Sequence, residues 1–111
     1  MAKLIPFSQH EAVLLLDAYL NSIATGQPRL QAVKKVSADL RRLAINRCIE
    51  IDDVYRNVNG IHFQMASMES AYLGRTVQKP ATKLFTKTVV LFRENRDEYD
   101  KFLKEARSMV D

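Results

Sequence analysis

Tyr55-Arg56-Asn57-Val58-Asn59-Gly60-Ile61-His62-Phe63-Gln64-Met65-Ala66-Ser67-Met68-Glu69-Ser70-Ala71-Tyr72-Leu73 runs from a turn rich in Arg, Asn and Gly into a short amphipathic helix. Ile61, Met65, Met68 and Tyr72 recur at i, i+4, i+7 and i+11, which is one buried stripe. The opposite face carries His62, Gln64, Ser67, Glu69 and Ser70, all small, amide-bearing or polar, with no Lys or Arg. Two readings follow. This is an ordinary surface helix whose turn residues shape its start, or it is a recognition helix, because amides and hydroxyls suit base edges while flanking Arg and Lys suit phosphates. Asn59 is placed to cap this helix, and Gly60 at its first position would let another backbone approach.

Outward from this stretch, the pattern is helical throughout. Ser8-Gln9-His10-Glu11 spells a capping box, with Phe7 before it as a staple against Ala12 or its neighbours. Val13, Leu14, Leu16, Leu20 and Ile23 keep a helical period, widened by Leu15 and Tyr19, until Gly26 and Pro28 stop it. A second helix over 29–46 buries Leu30, Val33, Val36, Leu40, Leu43 and Ala44. It is the most basic region: Arg29, Lys34, Lys35, Arg41, Arg42 and Arg47 face one acid, Asp39, as either a solvated surface or a phosphate-contacting one. Residues 48–54 form a connector in which Asp52 or Asp53 can start a turn. Gly74 ends the third helix, Pro80 opens a fourth with Leu84, Phe85, Thr88, Val89 and Phe92 inward, and Asn95 with Glu98 caps a fifth that packs through Tyr99, Phe102, Leu103, Ala106 and Val110. The fold class expected is all-α: one domain over 1–111, a compact bundle of helices near 9–25, 29–46, 60–73, 81–94 and 96–110. Within it, 7–73 would form a three-helix core and 80–111 a C-terminal hairpin.

Composition narrows the functional classes. With 111 residues, 47% hydrophobic and 27% charged, the chain can bury a core without staples and is not of disordered type. Cys48 is alone, which excludes an internal disulfide, fits a reducing cytoplasm and reads as a small buried thiol. Met1-Ala2-Lys3-Leu4-Ile5-Pro6 is too short for a signal-peptide core, and no apolar run is long enough to span a membrane. His10 and His62 lack metal-ligand spacing, with His10 an exposed first-turn residue, and the adjacent carboxylates Asp52 and Asp53 point apart. No phosphate loop or dinucleotide fingerprint is present, so no enzyme, cofactor or metal is expected. The net charge of +4 is unevenly spread: Arg29 to Arg93 is rich in basic residues, and the last helix is slightly acidic. One-sided clustering of this kind suits a nucleic-acid partner.

The order Phe7-Ser8-x-x-Glu11-x-x-Leu14-Leu15-Leu16-Asp17-x-Tyr19, then Val36-Ser37-x-x-Leu40-Arg41, then Tyr55-Arg56-Asn57-x-Asn59-Gly60-Ile61-x-x-Gln64-Met65, resembles the N-terminal helical module of bacterial HNH-type restriction endonucleases and related defence proteins. The similarity spans 7–73, and the Arg-Asn-x-Asn-Gly turn is its most specific part. In outline the module is also similar to helix-turn-helix-like and Myb/SANT-like domains, whose third helix reads the major groove. The His and Asn residues of an HNH nuclease have no counterpart here, and Phe7 stands where such modules often have Trp. The resemblance therefore implies double-stranded DNA binding, as the targeting domain of a restriction or phage-defence system, with a fused or associated nuclease and room for an oligomer. Asn59, His62, Gln64 and Ser67 would lie nearest the bases, with Arg56 and Asn57 in the turn. Arg41, Arg42, Arg47, Arg75, Lys79 and Lys83 would meet phosphates. For Arg56 a structural role stands beside the contact role, as partner of an acid such as Glu11 or Asp17. The rival class is a helical protein–protein interaction or dimerisation domain with no nucleic-acid role, presenting Met65, Met68 and Tyr72 as a partner surface.

Overall fold

The computed structural model describes residues 6–111, so Met1–Ile5 of the N-terminal segment lie outside the described residues. Five helices follow: α1 (Gln9–Thr25), α2 (Arg29–Asn46), α3 (Val58–Leu73), α4 (Lys83–Glu94) and α5 (Arg96–Val110). Four of the five begin with a side-chain cap. The Ser8 hydroxyl accepts from the Glu11 N–H at 3.2 Å while Glu11 Oε1 accepts from the Ser8 N–H at 3.0 Å, completing the expected box. Thr82 caps α4 by accepting from Phe85, so that helix begins at Lys83, later than Pro80 suggested. Asn95 caps α5 through the Glu98 N–H.

The cap of α3 is Asn57 and not Asn59. Its Oδ1 accepts from the Gly60 N–H at 2.8 Å, and α3 starts two residues earlier than expected. Gly60 makes room for that cap and not for another backbone, since a Cβ there would stand 3.1 Å from Asn57 Oδ1. The end of α2 also differs from the sequence reading. Cys48 is exposed and adopts φ +61°, the left-handed position glycine usually fills, and the Ile49 N–H closes onto the Ala44 carbonyl at 2.9 Å. Asp52 organises the connector, its Oδ1 accepting from the Val54 and Tyr55 N–H groups, while Asp53 is exposed.

All five helices feed one hydrophobic core. Leu16, Val33, Val36, Leu40, Ile61, Met65 and Phe85 are buried in it, with Leu20 and Phe102 packed against its edge. Ile23 and Leu30, expected on the inner faces, are exposed: they lie at the helix ends around the Gly26–Pro28 turn, at the margin of the core. Phe7 packs against the core, and its ring meets that of Phe85 at 5.6 Å and near 90°, tying the chain before α1 to α4.

Contacts fix the helix directions. Glu11 meets Arg56 near the start of α3, and Tyr19 meets Tyr72 at its end, so α1 and α3 run the same way. Arg29 pairs with Glu69, and the Ser37 hydroxyl donates to the Arg56 carbonyl, so α2 runs opposite. The segment 74–82 doubles back along α3, and α4 then follows the same direction as α3 until Arg93 reaches the Tyr72 carbonyl at 2.6 Å. α5 lies across α1, with the Tyr99 hydroxyl facing the Val13 carbonyl and Arg107 paired with Asp17. Burial pushes the Asp17 carboxyl up from its ordinary value, against the lowering influence of Arg107 and Lys35. His10 is less exposed than expected, resting on the Phe102 ring edge and facing Glu105 at 3.4 Å.

Candidate nucleic-acid interface

The Arg-Asn-x-Asn-Gly turn is built around Arg56. Its Nε donates to Glu11 Oε2 at 2.8 Å and its Nη2 to Glu11 Oε1 at 3.1 Å and to the Pro6 carbonyl at 3.2 Å. The guanidinium lies 4.2 Å from the Phe7 ring centre and 4.6 Å from that of Tyr55. The Arg56 side chain is 10% exposed and that of Glu11 5%. Arg56 also takes φ +49°, a conformation worth about 1–2 kcal/mol of strain in a non-glycine residue, which this buried, bidentate pair offsets. Arg56 is therefore buried against Glu11, the acid partner that the structural alternative anticipated. Asn57, as the cap of α3, is structural too.

The polar face of α3 is largely covered. The Ser67 hydroxyl donates to the Pro80 carbonyl at 2.8 Å, and the Ser70 hydroxyl donates to the Lys79 carbonyl at 2.5 Å while accepting from the Val77 N–H at 3.1 Å. Both serines are buried, so Ser67 cannot approach a base. Glu69 is held by Arg29 at 2.6 Å. What read as a row of small contact residues is the seat for the returning 74–82 segment. The inward stripe is also closed: Met65 and Met68 are fully buried and Tyr72 half-buried, so they present no partner surface.

Apart from Leu73 at its end, what α3 leaves in solvent is one side of its first two turns. Asn59, Gly60, His62 and Phe63 are exposed, Phe63 to 57%. Gln64 points elsewhere. It is half-buried in a groove between α3 and the start of α4, away from Asn59 and His62.

The phosphate candidates divide. Arg41 donates to the Asp52 and Tyr55 carbonyls at 3.0 and 2.5 Å, and Arg42 to the Val110 carbonyl at 2.9 Å. These two hold the connector and the end of α5, although Arg42 itself stays exposed. Arg47, Arg75, Lys79 and Lys83 are exposed, and Lys79 rests 4.7 Å from the ring centre of Phe63. Phe63 was missed in the sequence because one apolar residue on a polar face carries no periodic signal. Lys87, one turn beyond Lys83, is likewise exposed.

No family model, curated protein or solved structure matches this chain. Among the described residues no group of His, Cys, Asp and Glu is arranged to hold a metal, and no helix is long and apolar enough to cross a membrane.

Proposed function

We propose that this chain is a DNA-binding helical module that meets duplex DNA through the first turns of α3 and the basic return beside them, serving as the targeting part of a restriction or defence system whose nuclease is fused or separate. One observation supports this above the rest. Arg75, Lys79, Lys83 and Lys87 are exposed along the 74–87 segment, and no acid occurs from Gly74 to Arg93. Arg75, Lys83 and Lys87 have no ion pair among the described residues. A run of exposed cations with no acid among them raises the local potential, whereas α5 carries acids and bases intermixed. Asn59 and His62 project from the adjoining helix start and are the groups best placed for base edges.

The test is fluorescence anisotropy with a duplex at several salt concentrations. Each neutralised phosphate contributes about −0.9 to the log–log slope, so four engaged cations give a slope of roughly −3 to −4. Lys79→Glu with Lys83→Glu should weaken binding more than tenfold while leaving the helical circular dichroism unchanged. A slope near zero, or no binding at low salt, refutes the reading and favours a protein-interaction role.

A further inference from the structure

We infer that the groove between the start of α4 and α3 receives a single unstacked nucleobase, an inference that rests on the DNA-binding reading above. The groove is about 450 Å³ and is lined by Pro6, Phe7, Gln64, Thr82, Leu84 and Phe85, with Arg56 at its base. That volume lies in the lower part of the range of about 300–1,000 Å³ typical of small-molecule sites.

Three features suit a flat heterocycle. The walls are aromatic and aliphatic, and one is rigid: Phe7 is fixed edge-on to Phe85 and face-on to an Arg56 that Glu11 locks in place. The side-chain amide of Gln64, half-buried at this groove, has no hydrogen bond among the described residues, so it offers both a donor and an acceptor to a base edge. The Thr82 hydroxyl accepts from the Phe85 N–H, which leaves its own proton to donate. Charge supplies the third argument. Lys83 follows Thr82 directly, and Lys79 lies at the same return, so cations stand where the phosphates flanking an extruded nucleotide would run. A peptide's basic side chains would find no acid in this strip. Extruded bases are read by stacking on apolar side chains and by hydrogen bonds to their pairing edge, and both elements are present.

The experiment compares two duplexes of one sequence, one fully paired and one carrying 2-aminopurine opposite an abasic site. Unpairing is already complete in the second, so it should bind at least about tenfold more tightly. Its 2-aminopurine emission should rise as the base leaves the stack. Gln64→Trp, which fills the groove, should abolish both effects while affinity for the paired duplex stays within about twofold. Gln64→Ala, which keeps the helix and empties the rim, should reduce the preference and serves if the tryptophan variant does not fold. Equal affinity for the two duplexes with unchanged emission overturns the pocket but leaves duplex binding standing. Binding to neither duplex overturns both.

Discussion

Replacing Arg56 by alanine tests the central structural assignment. The substitution removes the bidentate bonds to Glu11, the bond to the Pro6 carbonyl and the stacking on Phe7 and Tyr55. Glu11, 5% exposed in the parent, keeps its bond from the Ser8 N–H but loses its charge partner. Removing one partner of a buried ion pair costs about 3–5 kcal/mol, chiefly because the other charge stays buried and unmatched. Loss of the two ring contacts acts in the same direction, at about 0.5–1 kcal/mol for each. A domain of this size is stable by roughly 5–15 kcal/mol, so the variant should lose a large share of its stability and fold marginally. Arg56→Lys keeps the charge but loses the planar fork, and should fall between the two. The assay is urea denaturation followed by circular dichroism, with Glu11→Gln completing a double-mutant cycle. The two substitutions should be non-additive, the pair costing less than the separate losses combined. An Arg56→Ala protein within about 1 kcal/mol of the parent, or strict additivity with Glu11→Gln, would refute the reasoning; such a loss is the size of an ordinary surface or mild substitution.

Other outcomes follow from the same geometry. Ser70→Ala removes the group that joins the Lys79 carbonyl to the Val77 N–H, and should cost about 1–3 kcal/mol and speed amide exchange in the 74–82 return. Leu40→Ala, at a fully buried site, should cost about 2–5 kcal/mol in urea titrations. Burial raises the phenols of Tyr19, Tyr55 and Tyr99 above the ordinary 10.0. Folding thus favours their neutral form: that stability is fully present below pH 10 and is lost as pH rises through the folded values. Urea midpoints should decline steeply above about pH 10, and Tyr99→Phe should flatten the decline.

Local chemistry explains which parts of this arrangement could be read in the sequence. The box at Ser8 and Glu11 and the left-handed stops at Gly26 and Gly74 use residues whose preferences are strong and local, and all three form. The stop at Cys48 could not be read, because nothing in a cysteine marks a left-handed residue. Asn57 and Asn59 are equally good caps on paper; the choice depends on how the turn is anchored to Glu11, a contact 45 positions away in the chain. The serines of α3 carried the most misleading signal. Small polar side chains serve a base edge and a packed backbone equally well, and only the return of 74–82 decides between them.

The arginines and lysines divide the same positive charge between different tasks. Arg41, Arg42, Arg56, Arg93 and Arg96 each donate to a main-chain carbonyl, whereas no lysine does among the described residues. Amine-directed chemistry such as acetylation can therefore strip charge from the surface without loosening a backbone contact. Guanidine-directed reagents attack the scaffold itself. A lysine-for-arginine exchange that preserves every unit of charge would still unfasten the connector, the end of α5 and the entry to α3.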